Sequence, residues 1–600
     1  MKNSLFLFLV LFAPFFGSAQ NNEVLADSYY KKGEFKKALV IYQNLLKEKP
    51  YSYNFLFKLV ETHQQLEQFA EAQDILIQRL EKRRNPTLVV ELGYNYQLQD
   101  SLEKAKDLYE EAIAYIDDKP SYIYSIARKF EDHSLLEEAI RIYDKGKTLT
   151  PDKNYSIQLA RIYGDQGNIE KMFENYIDYV EYKPNYLNNI KRAVSDFISE
   201  DKSNENNVYL RRQLLKKIQQ NPNPYWYEML SWLYVQEKAY AKSFVQEKAL
   251  YKRNPVSLDR IVELAITALD DNDAETARDI FNYILNATQD ASTALTAHQY
   301  ILEIDSKNAD DKALIRIDKK YNELFEEYGL SELTLPLQLA YGEFLAFYKN
   351  DTIQATAFLR QSMKLNISQF QEATVKLLLA DILVLQEKFN EALIFYSQIQ
   401  ANMKNSTISQ EARFKVAKTS YYKGDFDWAE SQLKILKSST SQLIANDALD
   451  LKLLISDNKY QDSSRTALKL YAKADLFTFQ KKTTKAIDVL DKILEEHKGE
   501  SIIDQALFKQ AQLYTEIKQY DKAESNYLLI IKDYKEDILM DDALYHLAEL
   551  YNTRLSRPED AKQLYETIVF EHEDSIYFIE ARKKFRILRG DKNYEIFMGG

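Results

Sequence analysis

Six histidines, His63, His133, His298, His497, His546 and His572, are the side chains of this 600-residue sequence best suited to metal or proton chemistry. A zinc-binding helix needs two of them four residues apart on one face, and no pair has that spacing. Cys is absent, which removes thiolate ligands, thiol nucleophiles and disulfides together. There is no glycine-rich phosphate loop and no G-x-S-x-G nucleophile turn. The densest polar run, Glu571-His572-Glu573-Asp574, has the residue types of an acid–base pair. It falls where one predicted helix ends and the next begins, so a solvated turn is its expected setting. No catalytic residue, metal or cofactor is therefore expected, and the chain is not expected to be an enzyme.

The remaining chemistry is recognition. A net charge of -12 opposes binding to a phosphate backbone, and the basic residues are interleaved with acids, as in Lys31, Lys32, Glu34, Lys36 and Lys37, so nucleic acid is not an expected partner. Tyr is abundant at 44 residues. Aromatic and Arg side chains dominate protein-binding surfaces, so the task is to find the elements that would place them together.

Those elements are helices. Gly and Pro number 13 and 11, far below the roughly 12% of an average protein, so the turns that sheets and barrels require are missing. At 600 residues one core is too small, which leaves several domains or a repeat that grows in one dimension. Residues 1–19 stand apart: Lys2, the apolar run Leu5 to Phe16 and the small residues of Gly17-Ser18-Ala19 read as a secretory signal peptide. The run is shorter than the roughly 20 residues that span a bilayer, and no later segment approaches that length. The chain is expected to be exported without a direct membrane span, to the periplasm, or to be secreted or held at the outer membrane through a partner.

Ala38, Ala72, Ala105 and Ala139 fall 34, 33 and 34 residues apart. With these as position 20 of a repeat, position 8 is small at Ala26, Gly93, Ala127 and Ala160, and position 11 is aromatic at Tyr29, Tyr96, Phe130 and Tyr163. Position 24 holds Tyr42, Tyr109, Tyr143 and Tyr176, and position 32 holds the helix-stopping Pro50, Pro151 and Pro184. Positions 8 and 20 are expected to face each other where helix A crosses helix B, so that Ala or Gly lets the backbones approach. Gly33, Gly167 and Gly424 share position 15, the turn between A and B, where a positive φ is often needed. The phase continues through Ala265 and Ala277, Ala380 and Ala392, Ala417 and Ala429, then Ala511 and Ala523, and Ala548 and Ala561. Leu187 to Gln220, Ala291 to Leu333 and Leu443 to Phe479 are helical by periodicity but poor in signature, and are expected to be degenerate repeats or breaks.

With Leu92-Gly93-Tyr94-Asn95-Tyr96 matching Leu-Gly-x-x-Tyr, this pattern resembles the tetratricopeptide repeat (TPR) family, in the form of a bacterial exported member, over nearly the whole chain beyond residue 19. The segments Tyr520-Asp521-Lys522-Ala523 and Glu580-Ala581-Arg582-Lys583-Lys584-Phe585 look like the repeats of envelope-assembly proteins and periplasmic cell-division coordinators. The resemblance implies an all-α, TPR-type superhelical solenoid of antiparallel helix pairs, whose concave groove, lined by helix A, takes peptides or helices of protein partners. The family's carboxylate clamp places Lys at position 5 and Asn at position 9; here the first repeat has Glu23 and Asp27, so that clamp is missing there. The groove positions of the clearer repeats fall on Tyr30, Tyr94, Tyr124, Arg128, Arg161, Tyr225 and Trp232, which are the candidate partner-binding residues; packing between helices is their other possible role.

The expected organisation is a signal peptide (1–19), an N-terminal array (20–290), an irregular helical connector (291–333), a middle array (334–479), a C-terminal array (480–590) and a tail (591–600). The expected function is a non-enzymatic protein-interaction scaffold or adaptor in the cell envelope, with envelope or secreted proteins as partners. The alternative is a helical-ring enzyme acting on the cell wall, similar to a lytic transglycosylase. That reading needs a compact lysozyme-like domain at the C-terminus, where this sequence instead has some of its clearest repeats.

Overall fold

The computed structural model describes residues 22–436, 441–459 and 464–591. The expected signal peptide and most of the expected tail lie outside them. The described residues are α-helical throughout apart from short turns and contain no strand. They pack as two compact units, up to Ile280 and from Phe281.

The first unit is a run of antiparallel helix pairs. It begins with 22–31 against Phe35–Glu48, Tyr53–Gln65 against Phe69–Lys82, and Pro86–Gln97 against Leu102–Asp118. Ile123–Asp132 then pairs with Leu136–Leu149, Ser156–Asp165 with Ile169–Tyr182, and Pro224–Gln236 with Tyr240–Arg253. The reason for pairing is visible at the crossings. Ala26, Ala38, Ala72, Ala127, Ala139 and Ala160 are completely buried and Ala105 nearly so. At Gly93 an added Cβ would lie 2.6 Å from the Tyr109 ring and 3.3 Å from the Ala105 carbonyl oxygen, so the Tyr109 ring sits where a side chain would be. Small residues at 8 and 20 thus admit the large ring at 24.

The turn from A to B is also uniform. Gly33, Gly167 and Gly424 have φ of 75°, 71° and 85°. The same slot holds Glu67, Asp100, Ser134, Lys238, Asn272, Asn350, Glu387, Lys481, Lys518 and Ser556, all with φ between 49° and 65°. The next residue donates its N–H back to the last turn of helix A, as in Glu34 to Tyr29 (2.9 Å), Leu135 to Phe130 (2.9 Å) and Lys482 to Phe477 (2.8 Å). This is the Schellman closure, in which a left-handed residue frees one N–H to satisfy an otherwise orphaned carbonyl. Ten of these turns therefore hold a residue with a Cβ in a conformation that glycine adopts at little cost.

The second unit uses the same pairs. Leu335–Glu343, extended by a π-helical turn Phe344–Tyr348, is followed by Thr352–Ser362; Gln369–Leu385 pairs with Phe389–Asn402, and Thr407–Lys423 with Phe426–Leu436. After these come Ile503–Glu516 with Tyr520–Asp533, Met540–Thr553 with Pro558–Glu571, and the single helix Phe578–Arg589. Ala392, Ala429, Ala511, Ala523, Ala548 and Ala561 are completely buried at the crossings.

The three signature-poor stretches resolve differently. Leu187–Ser195 and Glu205–Gln220 are joined by a nine-residue loop (196–204), held to the second helix by Asn207, which accepts from the Ser199 N–H (3.2 Å) and donates to its carbonyl (2.7 Å). The stretch 291–333, read as an irregular connector, contains two regular helices, Ala291–Ser306 and Asp311–Tyr328, each opened by an Asp side-chain cap. In the third, Gln442–Asn458 is an additional helix packed on Phe426–Leu436 and Thr407–Lys423. It is followed by a regular pair, Thr466–Phe479 with Thr483–Glu496, whose buried Ala474 and Ala486 have the usual separation of 12. A boundary at 479/480 therefore falls in the turn of one packed pair and is moved by the structure: helix A of that pair belongs with the residues after it.

Candidate functional site

The A helices carry most of the partly exposed aromatic and charged side chains singled out by the sequence. In the first unit Tyr30 is half-buried, its ring edge-on to Phe35 (5.2 Å) with the Lys58 ammonium 5.3 Å above it. Tyr94 lies flat on His133, with ring centroids 3.8 Å apart. Tyr124 packs against Tyr155 (5.0 Å) and Tyr143 (6.1 Å) yet is 42% exposed, and Arg128 and Arg161 are exposed beside it on the same and the next A helix. Tyr225 and Trp232 are half-buried, Tyr225 edge-on to the fully buried Trp226 (4.6 Å). The seven candidates thus fall into three neighbourhoods along the unit. Tyr30 and Tyr94 form the first, Tyr124, Arg128 and Arg161 the second, and Tyr225 and Trp232 the third.

Beneath Tyr94 is a buried polar group that sequence reading missed. Glu91 is completely buried and accepts from Lys129 Nζ (2.9 Å), His133 Nε2 (3.0 Å) and Gln64 Nε2 (3.3 Å). Burial would raise its carboxyl, but the His133 hydrogen bond and the Lys129 charge outweigh burial and hold it below the usual carboxylate range. The Lys129 ammonium also stands 4.0 Å over the Phe57 ring. With both its oxygens engaged by partners on neighbouring A helices, the fully buried Glu91 ties three repeats together and is closed to a ligand.

The second unit repeats one charge arrangement at position 9 of helix A. Asp381 accepts from the Tyr396 hydroxyl (2.5 Å) and from Lys415 of the next A helix (2.7 Å). Asp475 accepts from Tyr421 (3.0 Å) and Lys509 (2.8 Å), and Glu549 accepts from Tyr565 and Lys584. The first unit shows half of the pattern, in Asp27 accepting from Tyr42 (2.5 Å). The rule in these three repeats is an acid at 9, a tyrosine hydroxyl from the repeat's own helix B or a neighbouring A helix, and a lysine from the next A helix; elsewhere position 9 holds Gln512 in the second unit and Arg128 and Arg161 in the first.

Lys418 breaks this rule. It stands at position 9 between Asp381 and Asp475, and position 24 of its repeat is the buried Leu433, which has no hydroxyl to give. Among the described residues it makes no hydrogen bond or ion pair; its nearest aromatic partner is the Phe414 ring, 5.9 Å away. Its side chain is exposed to solvent within a recess. Partial desolvation by the recess walls lowers its ammonium below the ordinary lysine range, against the Asp475 and Asp447 charges and helped by Lys509 and Lys415. Two cavities of about 450 Å³ and 460 Å³ adjoin it, and both are lined by Phe414, Lys418, Tyr422, Asp447 and Phe479. The opposite wall is the additional helix Gln442–Asn458. Lys418 was legible in one respect: it follows Ala417, a recognised position 8. Its oddity shows only beside Asp475, which lay in a stretch where no register was assigned.

The histidines are dispersed. His63 bonds Gln68 (2.8 Å), His497 bonds Glu500 (2.6 Å), and His546 lies among the rings of Phe508, Tyr527, Tyr545 and Tyr577. Glu571 ends helix Pro558–Glu571, and His572 to Asp574 lie in the turn that leads to Phe578–Arg589. Among the described residues no three His, Asp or Glu side chains are placed to share a metal ion, and no helix is long and apolar enough to cross a membrane. The C-terminal residues that a transglycosylase-like domain would need are helix pairs from Ile503 to Arg589.

Comparison with known proteins bears on the repeat type. Residues 505–537 match the tetratricopeptide repeat profile, and residues 20–116 match that of the TT21 fifth ARM repeats domain. No curated protein matches the sequence. Among solved structures the chain is similar to one in the structure of Naa15/Naa10 bound to HypK-THB, at 13% identity over 96% of this chain and 95% of that one, with a TM-score of 0.29. It is also similar to a chain of the APC/C hetero-tetramer Cut9-Hcn1, at 11% identity over 95% and 96% of the two chains, with a TM-score of 0.22.

Proposed function

We propose that this chain is a non-enzymatic scaffold of the cell envelope that holds peptide segments or helices of partner proteins against the A-helix face of its repeats. The observation that carries the reading is the group Tyr124, Arg128 and Arg161. Three large side chains of the types that anchor protein interfaces stand open on consecutive A helices, while the ring at position 24 beneath them, Tyr143, is buried. The tetratricopeptide match at 505–537 supports a protein-binding role. The envelope location rests on the signal-peptide pattern of residues 1–19.

The test is capture from envelope extract by the tagged chain from residue 20, comparing wild type with Tyr94→Ala, Tyr124→Ala and Trp232→Ala combined. Proteins retained by the wild type and lost by the variant support the reading. Equal capture by both removes the groove assignment, and no specific capture removes the scaffold.

A further inference from the structure

We propose that the cleft between helix Gln442–Asn458 and the A helices of the second unit binds an internal peptide segment of mixed charge: a carboxylate held by Lys418 and the Tyr422 hydroxyl, a cationic side chain facing Asp447 and Asp450, and an apolar side chain between them against Phe414 and Phe479. This deepens the scaffold reading and rests on it.

Four observations converge. The first is the register. Position 9 is an acid with a lysine partner on the flanking repeats, and Lys418 reverses that charge without forming an ion pair, which leaves an exposed ammonium at the cleft that an anion can reach. The second is that the exposed charges without an ion pair have opposite signs on opposite walls. Among the described residues the Tyr422 hydroxyl has no hydrogen-bond partner, and Asp447 and Asp450 make no hydrogen bond or ion pair. Lys418 and Asp447 line the same space but do not pair with each other across it.

The third is the balance of charge. Lys415 and Lys509 are paired with Asp381 and Asp475, which leaves Lys418 on one wall and Asp447 and Asp450 on the other; the two acids repel a plain anion that approaches Lys418, whereas a ligand with both charges satisfies both walls. The fourth is extent and surface. The two cavities lie on either side of the shared residues, one reaching Asp381 and Val384 on helix Gln369–Leu385, the other Gln505 and Lys509 on helix Ile503–Glu516. A recess that runs across several A helices suits a stretch of chain better than a single amino acid. Its floor is aromatic, with Tyr422 stacked on Phe479 at 6.2 Å, and Leu443 at the rim is 72% exposed. Helix Gln442–Asn458 creates the cleft, since a plain repeat would leave this face open.

The test uses the full chain from residue 20 and a panel of fluorescent pentapeptides, acetylated and amidated, with acid-apolar-base and base-apolar-acid cores, read by anisotropy. At least one core order is expected to bind, and to weaken about tenfold or more when its acid or its base is replaced by glutamine. Lys418→Glu should weaken the same peptide about tenfold, and so should Asp447→Asn with Asp450→Asn. All these positions are solvent-accessible, and circular dichroism checks that the variants keep their helices. Failure of every mixed-charge peptide to bind, equal binding of an acid-only peptide, or indifference to Lys418→Glu each overturns the proposal. Binding confined to unblocked dipeptides also overturns it, by making the occupant a free peptide. Capture by the wild-type chain in the extract experiment would persist in all these cases, so failure here leaves the general scaffold reading separately decided.

Discussion

On the A-helix face of the first unit the buried Glu91 is fully engaged: it meets Lys129, His133 and Gln64 from the A helices before and after it. In the second unit Asp381 and Asp475 are equally well satisfied, but Lys418 between them is not, and space remains around it. Both units are built from the same crossings and the same turns. The difference arises because the second unit inserts Gln442–Asn458 between two repeats, which walls in one face of an A helix without supplying partners for its charges. A repeat array thus keeps its stability in the invariant positions and can vary position 9 freely, since that position touches only the neighbouring repeats.

The sharpest test of this contrast is a pair of substitutions. Glu91→Ala takes the buried carboxylate away from Lys129 and His133, leaving the buried Lys129 ammonium only the more distant Asp132 (3.9 Å), and should destabilise the repeats from Tyr53 to Asp132 by about 3 kcal/mol. Lys418→Ala, which removes an unpaired cation, should change stability by less than about 0.5 kcal/mol. Hydrogen exchange over each region reads both locally; equal losses would erase the distinction between a filled face and an open one. Overpacking a crossing should act alike in both units: Ala105→Trp and Ala429→Trp should each cost about 2 kcal/mol. An unchanged melting transition for either would contradict its place in the repeat.

Acid titration should separate Glu91 from Asp504 by sign. Glu91 has its carboxyl lowered in the folded chain, so its contribution is complete above the unfolded carboxylate range, about pH 4, and is lost as pH falls through the folded value. Asp504, in the second unit, is raised to about 6, chiefly by burial and then by the Asp537 charge. Its ionisation opposes folding, so a penalty absent at low pH grows as pH rises towards about 6. Asp504→Asn should therefore stabilise the second unit at pH 7 by about 1 kcal/mol and leave it unchanged near pH 3. Stabilisation of equal size at both pH values would show that the charge is not responsible. The smallest effect should be the most even. Glu67→Gly and Lys481→Gly, one in each unit, relieve the same left-handed turn and should each stabilise by about 0.5 kcal/mol in thermal melts; a loss at either site would mean that its side chain holds the turn.

Much of the fold was legible because its determinants are short-range. Ala38 and Tyr42, or Gly93 and Tyr109, announce a helix crossing through size alone, at separations fixed by helix geometry. Gly33, Gly167 and Gly424 likewise mark their turns. Of the other ten turns, Asn272, Asn350 and Asp100 carry the weaker left-handed preference of their residue types, whereas Glu67 or Lys481 has none; there the closing hydrogen bond and the packing of both helices impose the positive φ. The candidate groove residues were found as A-helix positions, but their sorting into three neighbourhoods, and the stacking of Tyr94 on His133, depends on how successive helices rotate.

What the sequence determined by itself is therefore the repeat: its helix pairs, its small crossing residues and the slots that face outward, all encoded within about 34 residues of chain. What only the tertiary structure decided is which charges meet and which are left over. Glu91 finds His133 42 residues away, and Lys418 is hemmed in by Asp447 and Phe479 without pairing. Local spacing sets side-chain direction along one helix, whereas charge pairing depends on distances between helices, which follow from packing angles and from one inserted helix that breaks the period.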